Sequence, residues 1–200
     1  MPSDLPMSAY VVLGLLSRYD GATPYQLDQR IRESIGYFWS FPRSQLYEQT
    51  GRLVRRGLVV ERQEEGGRRR RTLSLTGEGR RALHRWLTTP TQAITEIHDE
   101  GLLRLYFQPT DRLRDIGAAG AGDAGDAVAR LAAEQIQAHE DRLAEYRRLV
   151  SSGKTEEGSP QRATLEVGLR FERMIIDFWR ELAAVPTDPS GAEPGDRRAT

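Results

Sequence analysis

The sequence predicts a mainly α-helical protein with one small β-hairpin, and three observations carry that reading. Apolar residues recur at helical spacing over most of the 200 residues. Two short alternating runs, 58–64 and 71–75, flank a Gly66-Gly67 turn that is followed by four consecutive arginines, Arg68 to Arg71. Charge is divided along the chain. Residues 1–87 hold 15 Arg against 9 Asp and Glu, a balance of +6, whereas residues 88–200 hold 13 Arg, one Lys and 20 acids, a balance of −6. A basic half joined to an acidic half suits a polyanion-binding module attached to a part that does not touch the polyanion.

In chain order, Tyr10, Val11, Val12, Leu13, Leu15 and Leu16 predict a mostly buried first helix over Ser8 to Tyr19, stopped by Asp20-Gly21. Thr23-Pro24 with Gln26 is a capping box that starts a second helix. Leu27, Ile31 and Ile35 lay its single stripe on the core before Gly36. A third helix runs from about Pro42 to Arg56, with Leu46, Leu53 and Val54 inward and Thr50 where a larger apolar residue is expected. Arg43, Ser44, Tyr47 and Gly51 then share an outward face. Gly51 in a helix interior costs about 1 kcal/mol relative to alanine, and the expectation is that another backbone passes close to it. After the hairpin, Thr76 caps a fourth helix carrying Leu83, Trp86 and Leu87.

A helix with small polar and cationic residues at its start, beside a cationic hairpin, is the arrangement of a winged helix-turn-helix. Arg43, Ser44, Gln45 and Tyr47 are the candidate DNA-binding residues of the third helix; Tyr25 joins them from the second, and Arg68, Arg69, Arg70 and Arg71 from the hairpin.

The second half reads as helices. One is expected over 92–107, between Pro90 and Pro109, and residues 117–125 are glycine-rich enough to be a linker. Ala129, Ala132, Ile136, His139, Leu143, Tyr146 and Val150 alternate three- and four-residue steps, a heptad seam. A last helix from Gln161 to Ala184 is apolar over an arc wide enough to need two partners, one within the chain and one across a dimer. Ile136, His139, Leu143, Tyr146 and Val150 are therefore the candidate dimerisation residues. The expected domains are residues 1–90, 91–185 and a disordered tail over 186–200.

The absence of cysteine excludes disulfides, thiolate metal sites and thiol catalysis. The longest early apolar run, residues 11–16, is far too short to span a bilayer, so a soluble, cytoplasmic protein without a membrane partner is expected. His84, His98 and His139 fall on three different predicted helices without metal-ligand spacing. Neither a Gly-x-Ser-x-Gly elbow nor a phosphate-binding glycine loop is present. The sequence thus implies no enzyme, no cofactor and no metal site.

Ser8 to Leu16, the run Trp39…Gln45-Leu46-Tyr47…Leu53…Gly57-Leu58-Val59, and Leu75-Thr76-Gly77-Glu78-Gly79-Arg80 together resemble the PadR family of bacterial transcriptional regulators. Asp99 to Phe107 resembles the start of that family's C-terminal dimerisation domain, and the resemblance covers roughly residues 7–183. Glu48 and Thr50 depart from it, replacing the Pro and Leu common after the family's Tyr. The resemblance implies a homodimeric regulator, most often a repressor, that binds double-stranded operator DNA and is released by an effector. It implies that Tyr47 points at the DNA backbone. In multidrug-sensing relatives, aromatic residues of the C-terminal helices hold flat ligands between subunits. This implies a possible pocket for a small aromatic or hydrophobic effector at Phe171, Phe178 and Trp179. The competing reading is a protein-interaction adaptor whose winged helix binds a partner other than DNA.

Overall fold

The computed structural model describes residues 5–63, 70–109 and 125–184. It contains seven α-helices and one two-stranded antiparallel sheet among those residues, in the order α1 (Met7–Arg18), α2 (Pro24–Arg32), α3 (Arg43–Arg55), β1 (Val59–Gln63), β2 (Arg71–Leu75), α4 (Gly77–Thr88), α5 (Glu100–Tyr106), α6 (Gly125–Ser151) and α7 (Pro160–Ala183). The chain separates into two units, residues 1–94 and 95–200. The tail over 186–200, most of the 117–125 linker, and Gly66 to Arg69 at the hairpin tip lie outside the described residues.

In the first unit α1 is the central element, as its nearly continuous apolar sequence predicts. Ala9, Tyr10, Val12, Leu13, Leu15 and Leu16 are all buried, and they pack on α3, α4 and β2. Tyr10 stacks on Trp86 of α4, with ring centroids 4.8 Å apart. The capping box at Thr23 forms as expected: its hydroxyl accepts from the Gln26 N–H at 3.3 Å, and the Gln26 side chain accepts from the Thr23 N–H at 2.8 Å. Helix α2 ends at Arg32, sooner than the Ile35 stripe suggests, and residues Ile35–Tyr37 tighten into a 3-10 turn. Leu27, Ile31, Leu46 and Leu53 close the core between α2 and α3.

The end of α3 fixes everything that follows it. Gly57 takes a left-handed φ of 68°. Its N–H donates to Val54 O and that of Leu58 to Leu53 O, each at 3.0 Å, which is the paired bonding of a Schellman stop. The chain then enters β1, whose register pairs Val59 with Leu75 and Glu61 with Leu73. The Leu73 N–H also donates to Ala22 O at 3.0 Å, tying the sheet to the turn before α2. Thr76 returns the chain to the same point. Its hydroxyl donates to Gly57 O at 2.8 Å and accepts from the Gly79 N–H at 3.1 Å, while its own N–H donates to Leu58 O at 3.1 Å. A Cβ on Gly79 would overlap the Leu58 carbonyl, so α4 can sit here only with glycine at that position. Gly51 is different. A Cβ there would meet nothing nearer than the Arg55 guanidinium at 3.5 Å, so the close backbone expected beside it is not found.

The second unit corrects one predicted element. Residues 90–99 are irregular rather than the start of a helix over 92–107, and α5 begins only at Glu100, where the Asp99 side chain accepts from the Leu102 N–H at 2.8 Å. The physical reason is burial: Ile94 and Ile97 are exposed, so a helix here would have no apolar face to bury. Helices α6 and α7 form an antiparallel hairpin, with Ser159 capping α7 by accepting from the Arg162 N–H at 3.1 Å. Its core is Leu131, Ala132, Ile175 and Trp179, against which Leu102, Leu105, Ile136, Phe171 and Leu182 pack.

The two glycines predict opposite responses to alanine. Gly79→Ala should destabilise the first unit by about 1–3 kcal/mol, the usual cost of forcing atoms into a packed contact. Gly51→Ala should stabilise it by about 0.5–1 kcal/mol through helix propensity alone. Denaturant midpoints at unchanged slope measure both. Equal shifts of the same sign would contradict the packing described at Leu58.

Candidate nucleic-acid interface

The sequence-predicted DNA residues of α2 and α3, Tyr25, Arg43, Ser44, Gln45 and Tyr47, are all exposed. Leu46 is fully buried, and the next residue, Tyr47, turns outward at 45% exposure, so it is not a core aromatic. Arg43, Ser44 and Gln45 are exposed beside it. Pro42 precedes them in a non-helical conformation and no side chain caps α3, which leaves the positive end of the helix dipole open to an anion. Thr50 is explained by its hydroxyl, which donates to the Tyr47 carbonyl at 2.9 Å and so satisfies itself inside the helix.

Arg43 is held from two sides. Its Nη2 donates to the Tyr47 hydroxyl at 3.4 Å and its guanidinium lies 5.8 Å over the Tyr47 ring. Its Nε is 3.7 Å from Oδ2 of Asp28 on α2. The Tyr47 hydroxyl first, and then the Asp28 carboxylate, raise the Arg43 pKa above its ordinary value. Tyr25 is exposed on the first turn of α2, where its hydroxyl accepts from Gln29 Nε2 at 3.4 Å.

The hairpin sorts its arginines by the pleat. Arg71 lies on the same face as Leu73 and Leu75, and its Nε and Nη2 donate to the two Glu61 carboxylate oxygens at 2.8 and 2.6 Å. Arg71 is thereby occupied within the hairpin, and its hydrogen bonds hold the Glu61 carboxyl below its ordinary pKa. Arg62, paired with Thr72, faces the other way from Arg71 and is exposed, as is Arg70. Arg68 and Arg69 lie outside the described residues. Sequence reasoning missed Arg62 because the pairing register, which decides its side, depends on the turn. It missed Asp28 as well; the only signal was Arg32 four residues on, a helical ion-pair spacing.

In the second unit, the expected dimerisation seam is engaged within the protomer. Leu143 and Tyr146 are buried, and Ile136 packs in the hairpin core. Val150 is half-buried. His139 Nδ1 lies 2.6 Å from Glu172 Oε2 on α7, and its Nε2 is 4.0 Å from Asp99 Oδ2. Gly168 makes room for the Tyr146 ring, because a Cβ there would come within 2.8 Å of it. Burial first, and Glu172 second, raise the Tyr146 pKa. The expected effector aromatics are not gathered around a cavity. Trp179 is fully buried in the core, Phe171 is half-buried against it, and Phe178 meets Trp179 edge-on at 5.2 Å from nearer the surface. The shallow groove between α6 and α7, 490 Å³ in volume, is lined instead by side chains such as Leu143, Arg147, Arg173 and Ile176. No helix among the described residues is long and apolar enough to cross a membrane.

Against this geometry, residues 12–85 match the transcriptional regulator PadR-like family. Over that segment, a little over a third of its length, the chain is similar to the PadR-like regulators. Residues 116–185 match the C-terminal region of the virulence activator alpha family. The negative transcriptional regulator PadR of Bacillus subtilis is 30% identical over 100 residues, which cover 49% of this chain and 54% of that protein. The aligned part thus spans about half the length of each. The crystal structure of Bacillus subtilis PadR in complex with operator DNA superposes with a TM-score of 0.72 at 22% identity, covering 90% of this chain and 98% of that one. The same regulator in complex with p-coumaric acid gives 0.67 at 23% identity, covering 88% and 96%. At such identities the likeness is one of fold, and it confirms a mainly helical PadR-like winged-helix architecture.

The Glu61–Arg71 pair makes a pH prediction. A carboxyl whose pKa is depressed by folding contributes stability above its unfolded value, about 4.3, and loses that contribution as pH falls through the lower folded value. Glu61→Gln should therefore show a smaller loss of stability below about pH 4.3 than the parent, by about 0.2–1 kcal/mol for an exposed pair. Parallel acid titrations followed by denaturant melts measure this. Coincident curves would mean the pair contributes nothing.

Proposed function

We propose that this protein is a cytoplasmic, homodimeric, DNA-binding transcriptional regulator, acting as a repressor that a small-molecule effector releases from its operator. The observation that carries the reading is the exposure of Arg43, Ser44, Gln45 and Tyr47 at the uncapped start of α3, with Tyr25 exposed on α2 and Arg43 held between Tyr47 and Asp28. In this reading α3 enters the major groove. Arg43 and Gln45 meet base edges there, while Ser44, Tyr47 and Tyr25 reach phosphates. The hairpin lies along the neighbouring backbone with Arg62, Arg70, Arg68 and Arg69, while Arg71 braces it through Glu61.

The dimer surface in this reading differs from the seam on α6. Val167 and Met174 on α7 are 68% and 55% exposed, and with Phe171 and Phe178 they form one stripe at four- and three-residue steps. A second protomer covering that stripe would make the dimer, and a helix-turn-helix dimer reads half-sites about 34–36 Å apart, one turn of DNA. An aromatic acid such as the p-coumaric acid held by Bacillus subtilis PadR would bind against Phe178 and Phe171 beside the partner. It would release the operator by favouring one dimer geometry over another.

Two experiments test this. Sequencing genomic fragments retained by the purified protein should return a pseudo-palindromic operator. On that operator, Arg43→Ala and Tyr47→Ala should each lose about 1–3 kcal/mol of binding, read by mobility shift. Retention of no fragment above background would favour an adaptor that uses its winged helix on protein. For assembly, light scattering should show a dimer at micromolar concentration. Val167→Asp with Met174→Asp should yield folded monomers, whereas Leu143→Asp should unfold the second unit. A wild-type monomer would remove the dimer from the reading.

A further inference from the structure

Asp28 stands out as a carboxylate in the middle of a cationic reading face. Its residue is only 5% exposed, yet it is no part of the apolar stripe of α2. One oxygen, Oδ2, takes both of its cationic partners: Arg32 Nη2 at 2.5 Å, four residues along the same helix, and Arg43 Nε at 3.7 Å, on the first turn of α3. Arg43 in turn lies over Tyr47 and donates to its hydroxyl at 3.4 Å. A chain of contacts therefore runs from the buried carboxylate, through the exposed arginine, to the exposed tyrosine.

We propose that Asp28 is a positioning residue for sequence selection: it orients Arg43 toward base edges and restrains its use as a free phosphate-binding cation. This rests on the DNA-binding reading above. The physical grounds are three. A free arginine loses rotamer entropy when it is fixed. Anchoring one side of the guanidinium on a buried carboxylate removes part of that cost before DNA arrives. Second, base readout needs the planar fork of the guanidinium in one direction, whereas a phosphate accepts a cation from many. Third, the carboxylate sets the local charge. Arg32, Arg43 and Asp28 together carry one net positive charge rather than two, which lowers attraction to any duplex irrespective of sequence.

These grounds give opposite signs on two DNAs. Asp28→Asn keeps the shape of the side chain but removes its charge. It frees Arg43 and adds a net positive charge to the face. Operator affinity should fall by about 5- to 50-fold as orientation is lost, while affinity for random duplex should hold or rise, with a steeper dependence on salt. A residue that merely supported the fold would lower both together. In an Arg43→Ala background, Asp28→Asn should leave the operator-to-random ratio unchanged, because the group it orients is gone and the added charge acts on both DNAs alike. Arg32→Ala, which leaves Arg43 paired with Asp28, should lower affinity for both DNAs by similar factors and preserve their ratio.

The experiment is a set of fluorescence-anisotropy titrations of the full chain and these variants on the retained operator and on random duplex, at several salt concentrations. Melting curves confirm that each variant is folded. A fall in the operator-to-random ratio for Asp28→Asn, abolished in the Arg43→Ala background, supports the proposal. An unchanged ratio, a parallel loss on both DNAs, or an undiminished effect without Arg43 overturns it. Should Asp28→Asn melt below the assay temperature, the Arg32→Ala arm decides: a ratio lowered as far as Arg43→Ala lowers it would overturn the proposal. If the wild-type protein shows no preference among DNAs, the DNA-binding reading itself fails. If the preference is present and Asp28→Asn keeps it, only the role of Asp28 fails.

Discussion

The structure of the first unit turns on the junction where Gly57, Leu58, Thr76 and Gly79 meet. Three elements leave or enter within a few ångströms there: α3 ends, β1 begins and α4 begins. Left-handed backbone at Gly57 frees the chain to reverse, and the two Schellman bonds satisfy carbonyls that a helix end would otherwise leave open. Thr76 then answers three backbone groups at once, the carbonyls of Gly57 and Leu58 and the N–H of Gly79. Since α3 and the hairpin share this junction, their relative placement is set by short hydrogen bonds at the backbone rather than by long side chains. In the DNA-binding reading proposed above, such rigidity would keep the hairpin in register with α3 on the duplex.

The second unit uses its apolar surface differently. Helix α7 is apolar over a wide arc, and α6 takes the part that holds Trp179, Ile175 and Leu169, with Glu172 buried between them as the partner of His139. What remains outward is the stripe through Val167, Met174 and Phe178. An exposed apolar stripe on a long helix is costly to leave wet, and scattered charged neighbours such as Arg170 and Arg173 do not cover it. The heptad spacing on α6, by contrast, serves the hairpin itself. A heptad seam states that a helix packs along its length on another; it does not state whose helix that is.

Much of the reading face was legible residue by residue. Leu46 and Tyr47 are adjacent in sequence, so once Leu46 is assigned to the core, helical geometry turns Tyr47 outward. The capping hydroxyls of Thr23 and Thr76, the stop at Gly57 and the stacking role of the apolar face of α1 follow from local rules in the same way. Gly51 and Gly79 mark the limit. Both are glycines inside helices, and propensity treats them alike, yet only Gly79 has a carbonyl where its side chain would be. Arg71 marks it again: it closes a run of four identical residues, and only the register shows that it meets the Glu61 carboxylate.

The amino-acid sequence by itself determined the element types, the winged helix-turn-helix, the division into a basic and an acidic half, and the identity of the exposed residues on α3. These depend on periodicity, caps and composition, which act over one or two helical turns and are written in neighbouring residues. Only the tertiary structure decided that residues 90–99 do not form a helix, that Trp179 is core, that the α6 seam packs on α7, and that Asp28 sits beneath Arg43. Each of these depends on what a residue meets from a distant part of the chain. Burial and ion pairing are set by that encounter, and no local pattern specifies it.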